Sequence, residues 1–200
     1  MTFATSTQHA PVLRVRRARQ EDAAEIARLF LVSSDGLAAY IWTRLAAPGE
    51  TPAEVGARRY ARTGTAFSFE NCLFATVDGA VAGMAHAFPM PARAADEVED
   101  DPVLAPYAAL EDAGSLYVSG LAVDERRRGR GIGGALMDHV EALAVAKGCP
   151  RVSLICFEQN EGAMRFYRRR GYREIARRPL VPHATLRYAG GNAVLLVGGA

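Results

Sequence analysis

Between Leu121 and Leu143 the chain reads LAVDERRRGRGIGGALMDHVEAL. Arg126, Arg127, Arg128 and Arg130 are interleaved with Gly129, Gly131, Gly133 and Gly134, where an apolar strand-like run gives way to a helical pattern. Glycine weakens both helix and strand, and clustered guanidinium groups repel one another, so the combination needs a chemical reason. A helix start leaves about four backbone N–H groups unpaired, and the helix dipole favours an anion beside them. Glycine lets the backbone approach that anion with no Cβ in the way. Arginine adds charge and a fork geometry that suits phosphate. Types and spacing together point to a junction built to hold phosphate.

Two common phosphate patterns do not fit. No Gly-Lys-Ser/Thr occurs anywhere, so there is no P-loop. GRGIGG carries GxGxG rather than GxGxxG, and its strand lies past residue 110, whereas a dinucleotide domain would lead with this unit. The spacing that fits is [R/Q]xxGx[G/A], met by Arg128, Gly131 and Gly133. It resembles the signature of the GNAT superfamily of N-acetyltransferases. A second stretch, NEGAMRFYRRRGY from Asn160 to Tyr172, resembles that family's second signature, an Asn followed by Phe-Tyr and then Gly-Tyr. The resemblance runs from about Leu116 to Tyr172.

It implies an α/β (α+β) fold of the GNAT type: a mixed, mostly antiparallel seven-stranded sheet with splayed parallel fourth and fifth strands and helices on both faces. It implies acetyl-coenzyme A (acetyl-CoA) as co-substrate, and no metal. The pantetheine arm would lie against Leu121, Ala122 and Val123. The pyrophosphate would meet the backbone of residues 128–134, which include Gly129, Gly131, Ile132, Gly133 and Gly134. The side chains of Arg126, Arg127 and Arg130 would reach the pyrophosphate or the 3′-phosphate, and Arg128 begins the loop itself. Asn160 resembles the Asn that contacts the pantetheine arm. Asn160, Ala163 or Met164, and Tyr167 share one helical face by their spacing. The family's tyrosine, here Tyr167, points at the coenzyme sulfur and can give a proton to the departing thiolate.

The amine must lose a proton, and here the sequence departs from a common family pattern. Many relatives carry a glutamate on the fourth strand where this chain has Tyr117, and SLYVSGLAV holds no carboxylate. His86, Glu111, Asp112 and a water chain to solvent all stay open as the base. Tyr40 to Trp42 offer aromatic walls for the acceptor, and the acidic run ADEVEDD offers a field for a cationic amine.

The elements that must position these groups can be read along the chain. VLRVRRA alternates as a strand. QEDAAEIARLFLVSS, DGLAAYIWTRLA and AEVGARRYART read as helices. NCLFATV and AVAGMAHAF flank Asp78-Gly79 as a hairpin. Residues 91–114, with prolines at 91, 102 and 106, read as an irregular insertion. SLYVSGLAV is a strand with a candidate bulge at Gly120. A helix from about residue 131 crosses over to the buried strand RVSLICF, and the two strands are expected to run parallel. Asn160 caps a short helix that Gly171 stops. Two further strands end the chain.

Two hundred residues suit a single domain over 12–200 behind a flexible tail over 1–11. A net charge of +2 and the lack of RNP or KH patterns argue against nucleic acid. Three cysteines without CxxC spacing argue against zinc or a disulfide framework. No apolar run approaches a membrane span, and MTFATSTQHAP has no signal-peptide pattern. The expectation is a cytoplasmic enzyme, monomer or homodimer, acetylating a small-molecule amine. A protein N-terminus or lysine is the alternative acceptor, and an acyl-CoA-binding sensor with weak turnover is the alternative class.

Overall fold

The computed structural model describes residues 11–92 and 98–199. Of the expected tail only Pro11 falls among them, and Asp96 and Glu97 of the acidic run lie outside. Among the described residues seven strands are present: β1 Leu13–Arg17, β2 Cys72–Val77, β3 Ala80–Pro89, β4 Leu116–Val123, β5 Arg151–Phe157, β6 Arg173–Pro179 and β7 Asn192–Gly199. They form one sheet in the order β1-β2-β3-β4-β5-β7-β6. Every neighbouring pair is antiparallel except β4 and β5, which are parallel as expected. The helices are α1 Ala23–Ser33, α2 Leu37–Arg44, α3 Pro52–Tyr60, α4 Ala105–Ala108, α5 Ile132–Ala146 and α6 Glu161–Arg169.

Local chemistry explains several boundaries. Asp78 and Gly79 both take positive φ (52° and 83°), the two-residue turn that matches strand twist. Thr51 and Glu54 form a reciprocal capping box at the start of α3, with Pro52 in its first turn. The one-turn helix α4 sits in the stretch that sequence reads as irregular. Asp101 starts it by accepting from the N–H groups of Val103 (2.8 Å) and Leu104 (3.3 Å). Asp101 also accepts from the Tyr40 hydroxyl at 2.8 Å and lies 3.4 Å from Arg44. This end of the acidic run is therefore tied to α2.

The sheet separates two apolar layers. On one side Ile132, Leu136, Met137 and Val140 of α5 and Tyr167 of α6 pack on Leu116, Val118, Val152 and Leu154. On the other, Ile26, Leu29 and Phe30 of α1, Trp42, Val55 and Tyr60 pack on Phe74 and Met84. Each large side chain removed from water contributes about 1.5–3 kcal/mol before entropy is counted.

One irregularity in β4 decides the site. The register runs from Ala87↔Val118 to His86↔Gly120, which leaves Ser119 as an extra residue. The bulge turns the strand over. Leu116 and Val118 face α5 before it, and Leu121 and Val123 face α5 after it. Gly120 faces α1 instead, where a Cβ would come 2.9 Å from the Phe30 ring and the Ser33 hydroxyl. Only glycine fits there.

Candidate active site

Strands β4 and β5 are paired over Leu116–Val118 and Val152–Leu154 and diverge beyond that point. The N–H of Asp124 donates to Ala82 O at 2.9 Å. Antiparallel bonding alternates, so Ala122, paired with Met84, directs its polar groups at β3. Leu121 and Val123 direct theirs into the splay. Arg128 Nε donates to Val123 O at 3.3 Å from that side.

Below the splay lies the glycine loop. Gly129 (φ 75°) and Gly131 (φ 77°) adopt left-handed backbone, and a Cβ on either would meet nothing within 4 Å. Gly131 is the N-cap of α5, and Ala135 N–H to Gly131 O is the first bond of the helix. Among the described residues no acceptor meets the N–H groups of residues 129–134. Unpaired N–H groups converging at a helix N-terminus suit an anion.

On the far side α6 begins at Asn160, whose side-chain oxygen accepts from Ala163 N–H at 3.2 Å. Its Nδ2 donates to Asp35 Oδ2 at 3.2 Å. Tyr167 is 7% exposed, and its hydroxyl bonds no described residue. Burial, with Cys156, Tyr172 and Tyr117 nearby, pushes its pKa well above the ordinary phenol value, so it stays protonated.

These groups line one cleft of about 920 Å³: residues 121–123, Arg128, Gly129, 131–134, Asn160, Ala163 and Tyr167. Arg126 and Arg130, expected at the phosphates, are exposed and do not line it. Arg126 belongs to a short turn in which its own N–H is capped by Asp124 at 3.0 Å. Arg170 lines the cleft, but Asp138 (2.6 Å) and Glu141 (2.7 Å) hold it as a tie between α5 and α6.

A second cleft of about 470 Å³ lies on the α1–α3 side. Phe30, Trp42, Phe67, Phe88, Tyr107 and Phe157 give it aromatic walls. Ser33 lines both clefts, and Ser119, the bulged residue, lines the second. The two clefts thus meet where β4 bulges. Of the stretch Tyr40–Trp42, Ile41 and Trp42 line the second cleft, whereas Tyr40 is turned to Asp101.

The candidate bases separate. His86 is fully buried, ringed by Phe30, Tyr60, Phe67 and Phe88. Its Nε2–H donates to Ala66 O at 2.9 Å, so Nδ1 accepts from the Tyr60 hydroxyl at 3.1 Å. Burial, opposed by the Ala66 bond, lowers its pKa to about 4. With both nitrogens used and no surface on either cleft, it has no route to a substrate proton. Asp112 is held by Arg151 through two bonds of 2.6 and 2.7 Å. Glu111 lines the second cleft together with Tyr117. Burial, then Glu111, then Tyr107 push the Tyr117 pKa up.

Three residues of the two clefts carry no sequence signal. Asp35 (φ 47°) lies in the turn between α1 and α2, and its carboxylate bonds Asn160 of α6 and lies 3.4 Å from Arg187. Arg59 and Tyr107 sit on segments whose sequence suggests only a helix and a loop. Among the described residues no cluster of His, Cys, Asp or Glu could hold a metal ion, and no helix is long and apolar enough to cross a membrane.

The chain matches the family model described as Acetyltransferase (GNAT) family over residues 37–172. Among solved structures, it is similar to a protein described as an acetyltransferase, at TM-score 0.64 and 22% identity over 93% of this chain and 98% of that one. An N-acetyltransferase from Staphylococcus aureus Mu50 aligns at TM-score 0.63 and 18% identity, over 92% and 100%. An agmatine N-acetyltransferase variant in apo form aligns at TM-score 0.62 and 19% identity, over 94% and 99%. Because the family model spans well over half of the chain, from α2 to the end of the second signature, the protein belongs to the GNAT family of acetyltransferases.

Proposed function

We propose that residues 12–200 act as one domain that moves an acetyl group directly from acetyl-CoA to the primary amine of a small molecule. One observation carries this reading: two clefts of different chemistry meet at the β4 bulge. The first offers unpaired backbone N–H groups and arginine; the second offers aromatic walls and the Glu111 carboxylate.

Acetyl-CoA, when bound, supplies a thioester carbonyl for the amine to attack. The N–H groups of residues 129–134 hold its pyrophosphate, with Arg128 beside them. Leu121 and Val123 hold the pantetheine arm as they would an added strand. The Leu121 N–H, directed into the splay, would donate to the thioester oxygen as negative charge develops on it. Tyr167 keeps a proton for the leaving sulfur. Asn160 and Ala163 fix the start of α6 and thereby the position of Tyr167. Arg126 and Arg130, outside the lining, add positive field at the mouth of the loop.

Glu111 takes the proton from the amine through cleft water, replacing from the preceding loop the carboxylate that β4 lacks at Tyr117. Direct transfer is supported by the cysteines: all three are buried and none lines either cleft, so no thiol is placed as an acyl carrier, and burial pushes Cys156 up to about 12. The second cleft is walled by aromatic rings on several elements, which suits a small acceptor. Release of free coenzyme thiol across aliphatic amines, aromatic amines and a peptide with a free N-terminus tests this. Turnover of small amines above the peptide is expected; turnover of the peptide alone would reject it.

A further inference from the structure

Among the described residues, Arg59 Nε and the Tyr107 hydroxyl are side-chain polar atoms wholly shut from solvent that have no hydrogen-bond partner. Both belong to residues lining the second cleft. Native proteins leave few such groups, and each asks for an explanation. Here both orphans belong to walls of one cavity, and both can donate.

Arg59 stands out from the arginines around it. Arg58, one residue earlier, is bound by Glu50 through two bonds of 3.0 Å. Arg44 has Asp101 at 3.4 Å. The Arg59 guanidinium instead lies over the Phe67 ring, 5.4 Å from its centroid, and forms no ion pair with any described carboxylate. Burial, then Arg62, lower its pKa from the ordinary value; Arg58 acts the same way, and the one opposing influence is the Tyr60 phenol. Position in the last turn of α3 explains a positive charge, but not a guanidinium folded inward with its Nε shut from water. An inward, uncompensated cation on an aromatic wall suits an anion brought by a ligand.

We infer that the acceptor is an amine that also carries a carboxylate, the two joined by an apolar body, and that Arg59 recognises the carboxylate. This rests on the second cleft being the acceptor site. Tyr107 and Arg59 mark different parts of that cleft. Tyr107 is packed edge-on against Phe157 at 6.1 Å, and the charge of Asp35 reaches it. Arg59 lies beside Phe67. Phe30, Ile41, Trp42 and Phe88 provide apolar wall in the same cleft. A ligand polar at two points and apolar between them satisfies this arrangement. A diamine does not, because its second cation would meet Arg59.

Trp42, the only tryptophan, lines the cleft and reports on it by fluorescence. The probes are 3-phenylpropanoate and its neutral amide, 3-phenylpropanamide. The wild-type protein is expected to bind the carboxylate at least tenfold more tightly. Arg59→Gln should abolish that preference while leaving amide affinity and acetyl-CoA binding by calorimetry unchanged. Arg59→Lys, which keeps charge but not the fork, should fall between. In thiol release, 4-(aminomethyl)benzoate should exceed benzylamine at least tenfold in kcat/KM, with Arg59→Gln erasing the difference through KM. Equal binding of the two probes by the wild type, or equal losses for acid and benzylamine in the variant, would overturn the inference. If benzylamine turns over as well as the acid, the carboxylate inference alone falls. If no small amine turns over and neither probe perturbs Trp42, the acceptor-site reading falls, and the inference with it.

Discussion

Gly131→Glu separates a phosphate cradle from a plain turn. The backbone at Gly131 has φ 77°, so any L-residue there costs about 1–2 kcal/mol. A Cβ would meet nothing within 4 Å, so no clash is added. Gly131→Ala therefore carries the backbone cost alone, and the glutamate adds only its reach and charge. That charge sits at the N-terminus of α5, where it stabilises the helix by about 0.3–1 kcal/mol and so offsets part of the strain. Towards a bound pyrophosphate it is repulsive. At about 4 Å and an effective dielectric near 20, two unit charges repel by up to about 4 kcal/mol before salt screening. Affinity for acetyl-CoA should fall at least tenfold, about 1.4 kcal/mol. Calorimetric titration of wild type, Gly131→Ala and Gly131→Glu reads this directly, with circular dichroism confirming that both variants fold. Equal affinity of the alanine and glutamate variants would mean that the loop does not face phosphate.

Tyr167→Phe removes a hydroxyl that bonds no described residue, so stability should change by less than about 0.5 kcal/mol, while kcat falls ~10- to 1,000-fold with acetyl-CoA affinity held within a few-fold; a wild-type kcat, measured where chemistry limits, would remove its catalytic role. Glu111→Gln should lower turnover at neutral pH and recover towards wild type at alkaline pH, where the amine arrives unprotonated; a pH-independent loss would reassign Glu111 to positioning. His86 predicts a pH-dependent stability. Its folded pKa of about 4 lies below the unfolded value of 6.5, so below pH 6.5 the unfolded chain binds the proton first and stability falls as pH drops towards 4. By pH 5 the loss is about 2 kcal/mol, and urea titrations at pH 7 and 5 should show it in wild type and not in His86→Gln; the same slope in both would place the effect elsewhere.

Chemistry that needs neighbours in sequence was legible, and chemistry assembled across the fold was not. The hairpin at Asp78-Gly79 and the loop at Gly129 and Gly131 demand left-handed backbone that few residues tolerate, so their signal is local. Asn160 capping α6 is likewise a short-range pattern. The parallel pairing of β4 with β5 followed from the resemblance and from the helix between them. Asp35, by contrast, matters because of Asn160, 125 positions away. His86 reads as a base until Tyr60 and Ala66 take both its nitrogens, and Asp112 until Arg151 pairs with it. Arginine is so frequent in this chain that nothing marked Arg59 apart, nor placed Arg126 and Arg130 outside the cleft. Burial and partner choice separate them, and both arise only when distant segments pack.

Amide hydrogen exchange tests the division of the two clefts most directly. Acetyl-CoA alone should slow exchange across residues 119–134 and at the start of α6, and leave the segment from Arg59 to Phe67 unchanged. Adding an acceptor analogue should then protect that second segment. Protection by acetyl-CoA centred on residues 59–67, with 129–134 exchanging as freely as before, would contradict the account.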